Sequence, residues 1–450
     1  MICHEFTKRK FLKMSAGVSA LAFAAPRLAF GQDMGQPESL MRDADRVLSF
    51  RSWGSVPAEI KETHRFLEQN PDAAVEWVNI NFAKFRDTLT TEFVGGSDLD
   101  ATTVPETELS GWADAGFLHA VDDMPGIDEV RANALEGSTV AGKGLDGRQY
   151  GIPYTADPFG YVYNRKNLND AGYSDPPENL DELRMQMEAI KKAGIQEYPL
   201  HLGLKKQPGQ MWSIWCLVLG SGGSLFNEEN EPLFDGADDT LQNVLEWYVA
   251  AVNDWKIVGP DDFGKNWADG RNAMKQGLIS GGFLARWGLR FSNVDPDSSV
   301  QGQVFLGLVP GLERNDVATV GAFHQIGISA NSKNPELAWD FIRHISGPEA
   351  DSSYKTLLVR TIAFGGRAAY FPVLNHPDYQ AMVKNISNGE TDVYDKISEI
   401  VMQKQGVKTF WYPEWEDYWM QQVQDALTKK QSVKDALAAS ADRARRLARG

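Results

Sequence analysis

An α/β protein of two lobes, each a mostly parallel sheet flanked by helices, is the architecture this sequence predicts. Its 450 residues make two or three domains at roughly 100–200 residues each. From Val47 onward, extended runs alternate with amphipathic helical ones, the pattern of a parallel sheet covered by helices. Residues 147–166 form a stiff, mostly extended stretch in which Pro153 and Pro158 fix φ and bias their predecessors toward extended geometry. It sets Tyr154, Asp157, Phe159, Tyr161 and Tyr163 along one run. The stretch reads as a connector that joins two bodies and supplies part of a ligand-binding wall.

Residues 47–51 are the first predicted strand, ending in Ser52-Trp53-Gly54-Ser55. Pro57 suits the first turn of a helix with Ile60, His64 and Leu67 on one face, closed before Pro71. Residues 75–80 make the second strand, and a helix over 85–93 follows, stopping at Gly95-Gly96. Residues 99–104 make a third strand, with Pro105-Glu106-Thr107 at its carboxyl end. Ligands of such sheets lie beyond the carboxyl ends of strands, which puts Trp53 and Glu106 where a site would be.

Further along, Asn179 caps a helix with Glu182 at the reciprocal position. Leu180, Leu183, Met187 and Ile190 form its buried stripe, and Gly194 ends it. Residues 211–219 are an apolar segment carrying Trp212 and Trp215. Residues 241–252 are helical, 305–309 a strand running into Pro310-Gly311, and 320–329 one strand-like run. Asn334-Pro335 opens a helix whose Leu337, Ala338, Phe341, Ile342 and Ile345 form an apolar face. In the aromatic patch 410–419, Trp411, Trp415, Tyr418 and Trp419 share a helical face, which favours packing within a lobe. Ser432 with Asp435 caps a last helix, whose Arg443, Arg445, Arg446 and Arg449 suit its C-terminal dipole end.

The first 31 residues read as a cleaved export signal: Lys8-Arg9-Lys10 and Lys13, then a small and apolar run, then Ala29-Phe30-Gly31 at the cleavage site. The order Thr7-Lys8-Arg9-Lys10-Phe11-Leu12-Lys13 resembles a twin-arginine signal with Lys8 where the first arginine would stand. Export by the Tat or the Sec route is open. The apolar run is short of the ~20 residues a membrane span needs, so the expectation is a soluble, periplasmic protein starting near Gln32. Removing the signal takes the formal charge from −16 to −20. Such an acidic surface repels nucleic acid and anionic lipid, and neither is an expected partner. Cys3 leaves with the signal, while Cys216 in Trp215-Cys216-Leu217-Val218 reads as a buried thiol, so no disulfide is expected.

Catalytic and metal signatures are weak. Gly137-Ser-Thr-Val-Ala-Gly142-Lys143-Gly144 nearly fits a phosphate-binding loop but has Gly144 where Ser or Thr must hold magnesium, and a flexible turn is the better reading. Seven scattered histidines show no paired ligand spacing, which argues against zinc. No Gly-x-Ser-x-Gly elbow appears. A glycosidase carboxylate pair stays open, because 61 acidic residues make a chance pair somewhere nearly certain.

An ordered set of motifs spans nearly the whole chain after the signal. It comprises Phe66-Leu-Glu-Gln-Asn-Pro71, Ala115-Gly116-Phe117-Leu118, Tyr150-Gly151-Ile152-Pro153-Tyr154 leading to Tyr163-Asn164-Arg165-Lys166, and Ala171-Gly172-Tyr173. Then come Pro176-Pro177-Glu178-Asn179-Leu180-Asp181-Glu182-Leu183, Gly270-Arg-Asn-Ala-Met274 and residues 328–339. Together they resemble the family 1 extracellular solute-binding proteins, the maltose-binding-protein-like receptors of ABC sugar importers.

The resemblance implies the two-lobed periplasmic-binding-protein fold, with residues 42–158 and 311–366 in one lobe and 159–310 and 367–450 in the other. Three hinge crossings near Phe159, Pro310 and Gly366 would let the lobes close on a ligand. It implies ligand contacts at Trp53, Glu106, Thr107, Tyr154, Asp157 and Trp212. Phe283 follows, with Arg286 and Trp287 as alternatives, then Phe323 and Arg367. It implies a monomer with no catalytic residue, metal or cofactor, and a cognate permease in the inner membrane as partner.

The chemistry of a sugar agrees. Aromatic plates cover C–H faces, and Asp, Glu, Asn and Arg bond the hydroxyl rim. Thirteen tryptophans, more than a core of this size needs, fit such surfaces. Arg286, Arg290, Arg360 and Arg367 raise an alternative, an acidic sugar or non-sugar solute in the same fold. An exported polysaccharide-active enzyme is the third reading.

Overall fold

The computed structural model describes residues 36–209, 211–314 and 316–449; the expected export signal, its expected cleavage near Gly31 and Cys3 lie outside them. In chain order the strands are β1 (Arg46–Ser52), β2 (Ala73–Asn79), β3 (Ala101–Val104), β4 (Ile152–Pro153), β5 (Asp157–Asn164) and β6 (Leu200–His201). They continue with β7 (Gly281–Ala285), β8 (Val304–Gly307), β9 (Thr319–Ala322), β10 (Gln325–Ile328) and β11 (Val401–Met402). Two sheets result, β2-β1-β3-β10-β4 and β11-β9-β5-β7-β6, with β8 also paired to β5. The chain divides into two compact units. One holds the residues up to Tyr154, His324–Arg360 and Lys408–Phe410; the other holds Thr155–Phe323, Thr361–Val407 and the residues from Trp411 on.

Each sheet is mostly parallel with one reversed strand. In the first, β1 runs parallel to β2 and β3, while β10 is antiparallel to β3 and β4. In the second, β5 is antiparallel to β7, β8 and β9, and the pairs β6–β7 and β9–β11 are parallel. The reversed strands are those the chain enters directly after leaving the other unit: β5 follows Tyr154, and β10 follows Phe323. Gln325 pairs with Pro153 in the first sheet, and Asp157 with Ala322 in the second. The single run expected over 320–329 is therefore two strands. Thr319 Oγ1 donates to the Phe159 carbonyl at 2.7 Å and ties β9 to β5, whereas Ser329 N donates to the Asp100 carbonyl at 2.9 Å just beyond β10.

In the first unit, Pro57 opens the helix Pro57–Gln69, which buries Glu59, Ile60, Thr63, Phe66 and Leu67. His64 is exposed, contrary to expectation, because the buried stripe is centred one step round the helix, on positions 59, 63 and 66. Asn81 Oδ1 accepts from Ala83 N (3.0 Å) and caps the helix Phe82–Gly95, which stops at Gly96 in the left-handed region, φ 65°. Its Phe85, Leu89 and Phe93 join Leu99, Val104, Trp112 and Phe117 in a core against which Trp53 packs. The helix Pro335–Ser346 turns Leu337, Ala338, Phe341, Ile342 and Ile345 inward as its spacing predicts. The ring of Phe341 lies 5.2 Å from Phe50 and 5.4 Å from Phe66. The loop-like motif at 137–144 is a short helix, Glu136–Ala141, and a tight turn. A Cβ on Gly142 would meet Gln149 Nε2 at 2.2 Å and the Gly151 carbonyl at 2.5 Å, so the glycine serves close packing.

In the second unit, Asn179 Oδ1 accepts from Glu182 N (2.9 Å) at the start of the helix Leu180–Lys192. The return bond lands one residue earlier than expected, with Glu178 N donating to Glu182 Oε2 at 2.9 Å. The helix Trp212–Gly220 is buried on every side. Within it Cys216 is a free thiol that burial pushes up to about 12, a chemically quiet state. The helices Tyr412–Leu427 and Val433–Arg449 pack through the aromatic patch. Trp415 stacks on Trp419 with centroids 5.4 Å apart, and its Nε1 donates to the Ser440 carbonyl at 3.0 Å. Among the described residues no helix is long and apolar enough to cross a membrane.

Candidate functional site

In the first unit, β1 delivers Trp53 at the carboxyl end of a parallel strand. Its half-buried ring meets His324 (5.0 Å), Phe85 (5.2 Å), Phe82 (5.6 Å) and Tyr154 (6.1 Å) edge to face. His324 Nδ1 accepts from Glu106 N (3.4 Å), and its carbonyl accepts from Tyr154 N (3.0 Å). Trp53, Glu106 and Tyr154 are thus gathered around His324. Thr107 is buried beside Glu106, its Oγ1 donating to Glu108 Oε1 at 3.2 Å.

Beneath Tyr154 lies a buried ion pair. The Arg360 guanidinium sits 3.7 Å from the Tyr154 ring centre and 3.2 Å from Glu59 Oε1. Burial pushes the Glu59 carboxyl up to about 7, with Arg360 opposing. Burial likewise raises the Tyr154 phenol far above its ordinary value.

The second unit holds a small open pocket of about 10 Å³, lined among others by His201, Gly203, Met211, Trp212, Trp267 and Phe283. Trp212 stacks on Phe159 with centroids 4.5 Å apart, and Lys404 Nζ lies 3.8 Å from its ring centre. With both neighbours over the ring, Trp212 offers the pocket its edge. Lys404 is fully buried, 3.3 Å from Glu416 Oε1. Trp267 enters from the first turn of the helix Trp267–Lys275, whose cap Asn266 accepts from Ala268 N and Asp269 N. Its ring lies 5.2 Å from that of Trp287.

His201 forms the polar wall. Its Nδ1 is 2.5 Å from Asp262 Oδ1, and its Nε2 is 3.1 Å from the Asn266 carbonyl. Both partners can only accept, so the imidazole carries both protons. Burial opposes that charge, but Asp262 outweighs it and raises the pKa above its ordinary value. Asp262 Oδ2 also accepts from Leu202 N (3.1 Å) and Gly203 N (2.9 Å), which fixes the backbone beside the pocket.

A second polar group in this unit surrounds Asp157, the first residue of β5. Asp157 Oδ1 accepts from Arg367 N at 2.6 Å, and Arg367 Nη1 donates to the Ala156 carbonyl at 3.4 Å. Arg286, just past β7, donates from Nη1 to the Tyr394 carbonyl (3.0 Å) and Ser398 Oγ (2.7 Å), and from Nη2 to Tyr379 OH (3.3 Å). Burial, and next the charge of Arg286, lower Arg367 to about 10. Phe323 is buried and is not among the residues that line the pocket.

Residues 54–352 match the bacterial extracellular solute-binding proteins. The chain belongs to that family. It is 23% identical over 287 residues to a binding protein of Brucella abortus, covering 62% of this chain and 66% of the relative. It is 29% identical over 168 residues to the diacetylchitobiose-binding protein DasA of Streptomyces coelicolor, covering 37% of this chain and 36% of the relative. The match thus spans about two thirds of the one and about a third of the other. Among solved structures, the maltose-bound MalE3 of T. maritima superposes with a TM-score of 0.79 at 18% identity, over 89% of this chain and 100% of that one. That likeness shows the shared α/β fold.

For this solute-binding protein, sequence reasoning passed over His324, His201, Asp262 and Trp267. Phe323 drew attention because an aromatic residue was expected there, while its neighbour reaches Trp53. His201 and Asp262 stand far apart in the chain, and neither sits in a spaced motif. Trp267 was findable: Asn266 and Asp269 spell a helix start directly ahead of Gly270-Arg-Asn-Ala-Met274.

Proposed function

We propose that this solute-binding protein captures a carbohydrate in the periplasm and hands it to the inner-membrane permease of an ABC importer. The observation that carries the reading is the second unit's pocket, where Trp212, Trp267 and Phe283 stand against a charged imidazole held by Asp262. Aromatic surfaces beside fixed polar groups suit a ligand with C–H faces and a hydroxyl rim. In the first unit, Trp53, Tyr154 and Glu106 with His324 form a second aromatic and polar group. A site built to pair hydroxyls rejects analogues that lack one, because its own polar groups are then stranded. The names of the relatives, which bind diacetylchitobiose and maltose, support the same class.

The reading takes the protein as a monomeric carrier and not a catalyst. A thermal-shift screen over mono- and oligosaccharides tests it, since a ligand at 100 times its Kd adds about 2.7 kcal/mol of stability. Saccharide recovered unchanged after long incubation is the expected companion result. A silent sugar panel with a hit from a polyamine or a metal ion would remove the carbohydrate. New sugar ends would replace the carrier with an enzyme.

A further inference from the structure

We propose that the solute is an acidic saccharide whose carboxylate is taken by Arg367, with Arg286 behind it as a second positive charge. This rests on the carbohydrate reading above and names the class of sugar.

The arginines sort by partner. The half-buried Arg290 lies 2.6 Å from Asp295, and the buried Arg360 lies 3.2 Å from Glu59. The ion pairs among the described residues include none of the buried Arg271, Arg286 and Arg367; Arg271 bonds the Asn272 side chain and lies over the rings of Trp287 and Phe291, apart from the Asp157 cluster. Arg286 is 1% exposed and bonds only neutral oxygens, while its buried Nε finds no acceptor. The Tyr394 hydroxyl is also buried without a partner, and the Arg286 guanidinium lies 3.9 Å from that ring's centre. Arg367 keeps 8% of its surface exposed, and its guanidinium makes one long hydrogen bond to a backbone carbonyl.

Asp157 is the buried carboxylate of the cluster, and its Oδ1 accepts from the Arg367 backbone N–H. Asp395, on the same helix as Tyr394, is exposed and screened by water. Two guanidiniums against one buried carboxylate leave one positive charge over, and a buried charge lacking its counterpart is costly. A monoanion supplied by the ligand closes that balance. The guanidinium fork matches a planar carboxylate through two parallel hydrogen bonds, a match a lysine cannot make. Arg367 is the contact because it reaches the surface. Arg286, enclosed beneath, acts through its field and is a positioning residue.

Calorimetric titration of the unaltered protein with galacturonate, glucuronate and their disaccharides tests this, against the methyl esters and the neutral parent sugars. The acid should bind about tenfold to a hundredfold more tightly than its ester, the range for a hydrogen bond to a charged group. Arg367→Gln should erase that difference, so that the acid and its ester bind alike. Arg367→Lys should restore part of it, the charge being present and the fork lost. Should Arg367→Gln fail to fold, the acid–ester comparison in the unaltered protein decides alone. Equal affinity for acid and ester overturns the inference and leaves the carbohydrate reading standing. A sugar phosphate that outcompetes every uronate overturns the carboxylate assignment. No binding of any saccharide overturns both readings.

Discussion

Glu59 and Arg360 form a pair whose value above pH 7 lies in being complete. Glu59 is 0% exposed, and an ionised carboxylate stripped of its cation there has no water to turn to. At pH 8, Arg360→Met should therefore destabilise the protein by up to about 3–5 kcal/mol, read from urea midpoints, while the double change Glu59→Gln with Arg360→Met should recover most of the loss. The same residue carries a pH signature. Its folded carboxyl is raised from 4.5 to about 7, so the native state holds a proton that the unfolded chain has released. That contribution is full below about 4.5 and is lost as pH rises toward 7. His201 acts in the same direction at higher pH, because its folded pKa is raised above 6.5; its contribution is complete below 6.5 and is lost as pH climbs through the folded value. Urea midpoints should thus fall between pH 5 and pH 8. Glu59→Gln should flatten the lower part of that slope and His201→Gln the upper part, and a midpoint that climbs over this range would contradict both assignments.

At the scale of the element, the helix Trp267–Lys275 connects packing to the pocket through Gly270. A methyl group at an internal helix glycine ordinarily adds ~1 kcal/mol of stability. Here it would meet His201 Cδ2 at 2.1 Å, and that ring is pinned between Asp262 and the Asn266 carbonyl. Gly270→Ala should cost about 1–3 kcal/mol in thermal unfolding and weaken saccharide binding as well; a stabilised variant with intact binding would show that the ring can yield. The same helix shows what was readable in advance. Its start was spelled by Asn266 and Asp269, as the helix Pro335–Ser346 was by Asn334-Pro335 and its apolar spacing, because caps and periodicity are local. The parallel order of β1, β2 and β3 followed from alternation with helices. What escaped was information held between distant segments. No breaker separates β9 from β10, and only their different partners place them in different sheets. The face of Trp212 was just as hidden: its spacing shows an aromatic residue at a helix start, not that Phe159 and Lys404 lie over the ring. Arg290 and Arg367 look alike in sequence, and a neighbouring Asp295 alone sets them apart.

Over the whole molecule, neither unit is one continuous stretch of chain. The first sheet inserts β10 between β3 and β4, and the second takes β11 at its edge. A fragment ending at residue 310 would lack β9, β10, β11 and the helix Pro335–Ser346. It should show no cooperative thermal transition by circular dichroism, and a sharp transition would mean that one unit closes without its returning strand. The reversed strand β10 also sets a clock. At about 5–20 residues per second of synthesis, the ribosome reaches Ile328 roughly ten to thirty-five seconds after Tyr154. Through that interval the facing edges of β3 and β4 wait for a strand not yet made. A polypeptide with this wiring stays threadable until its last third has emerged.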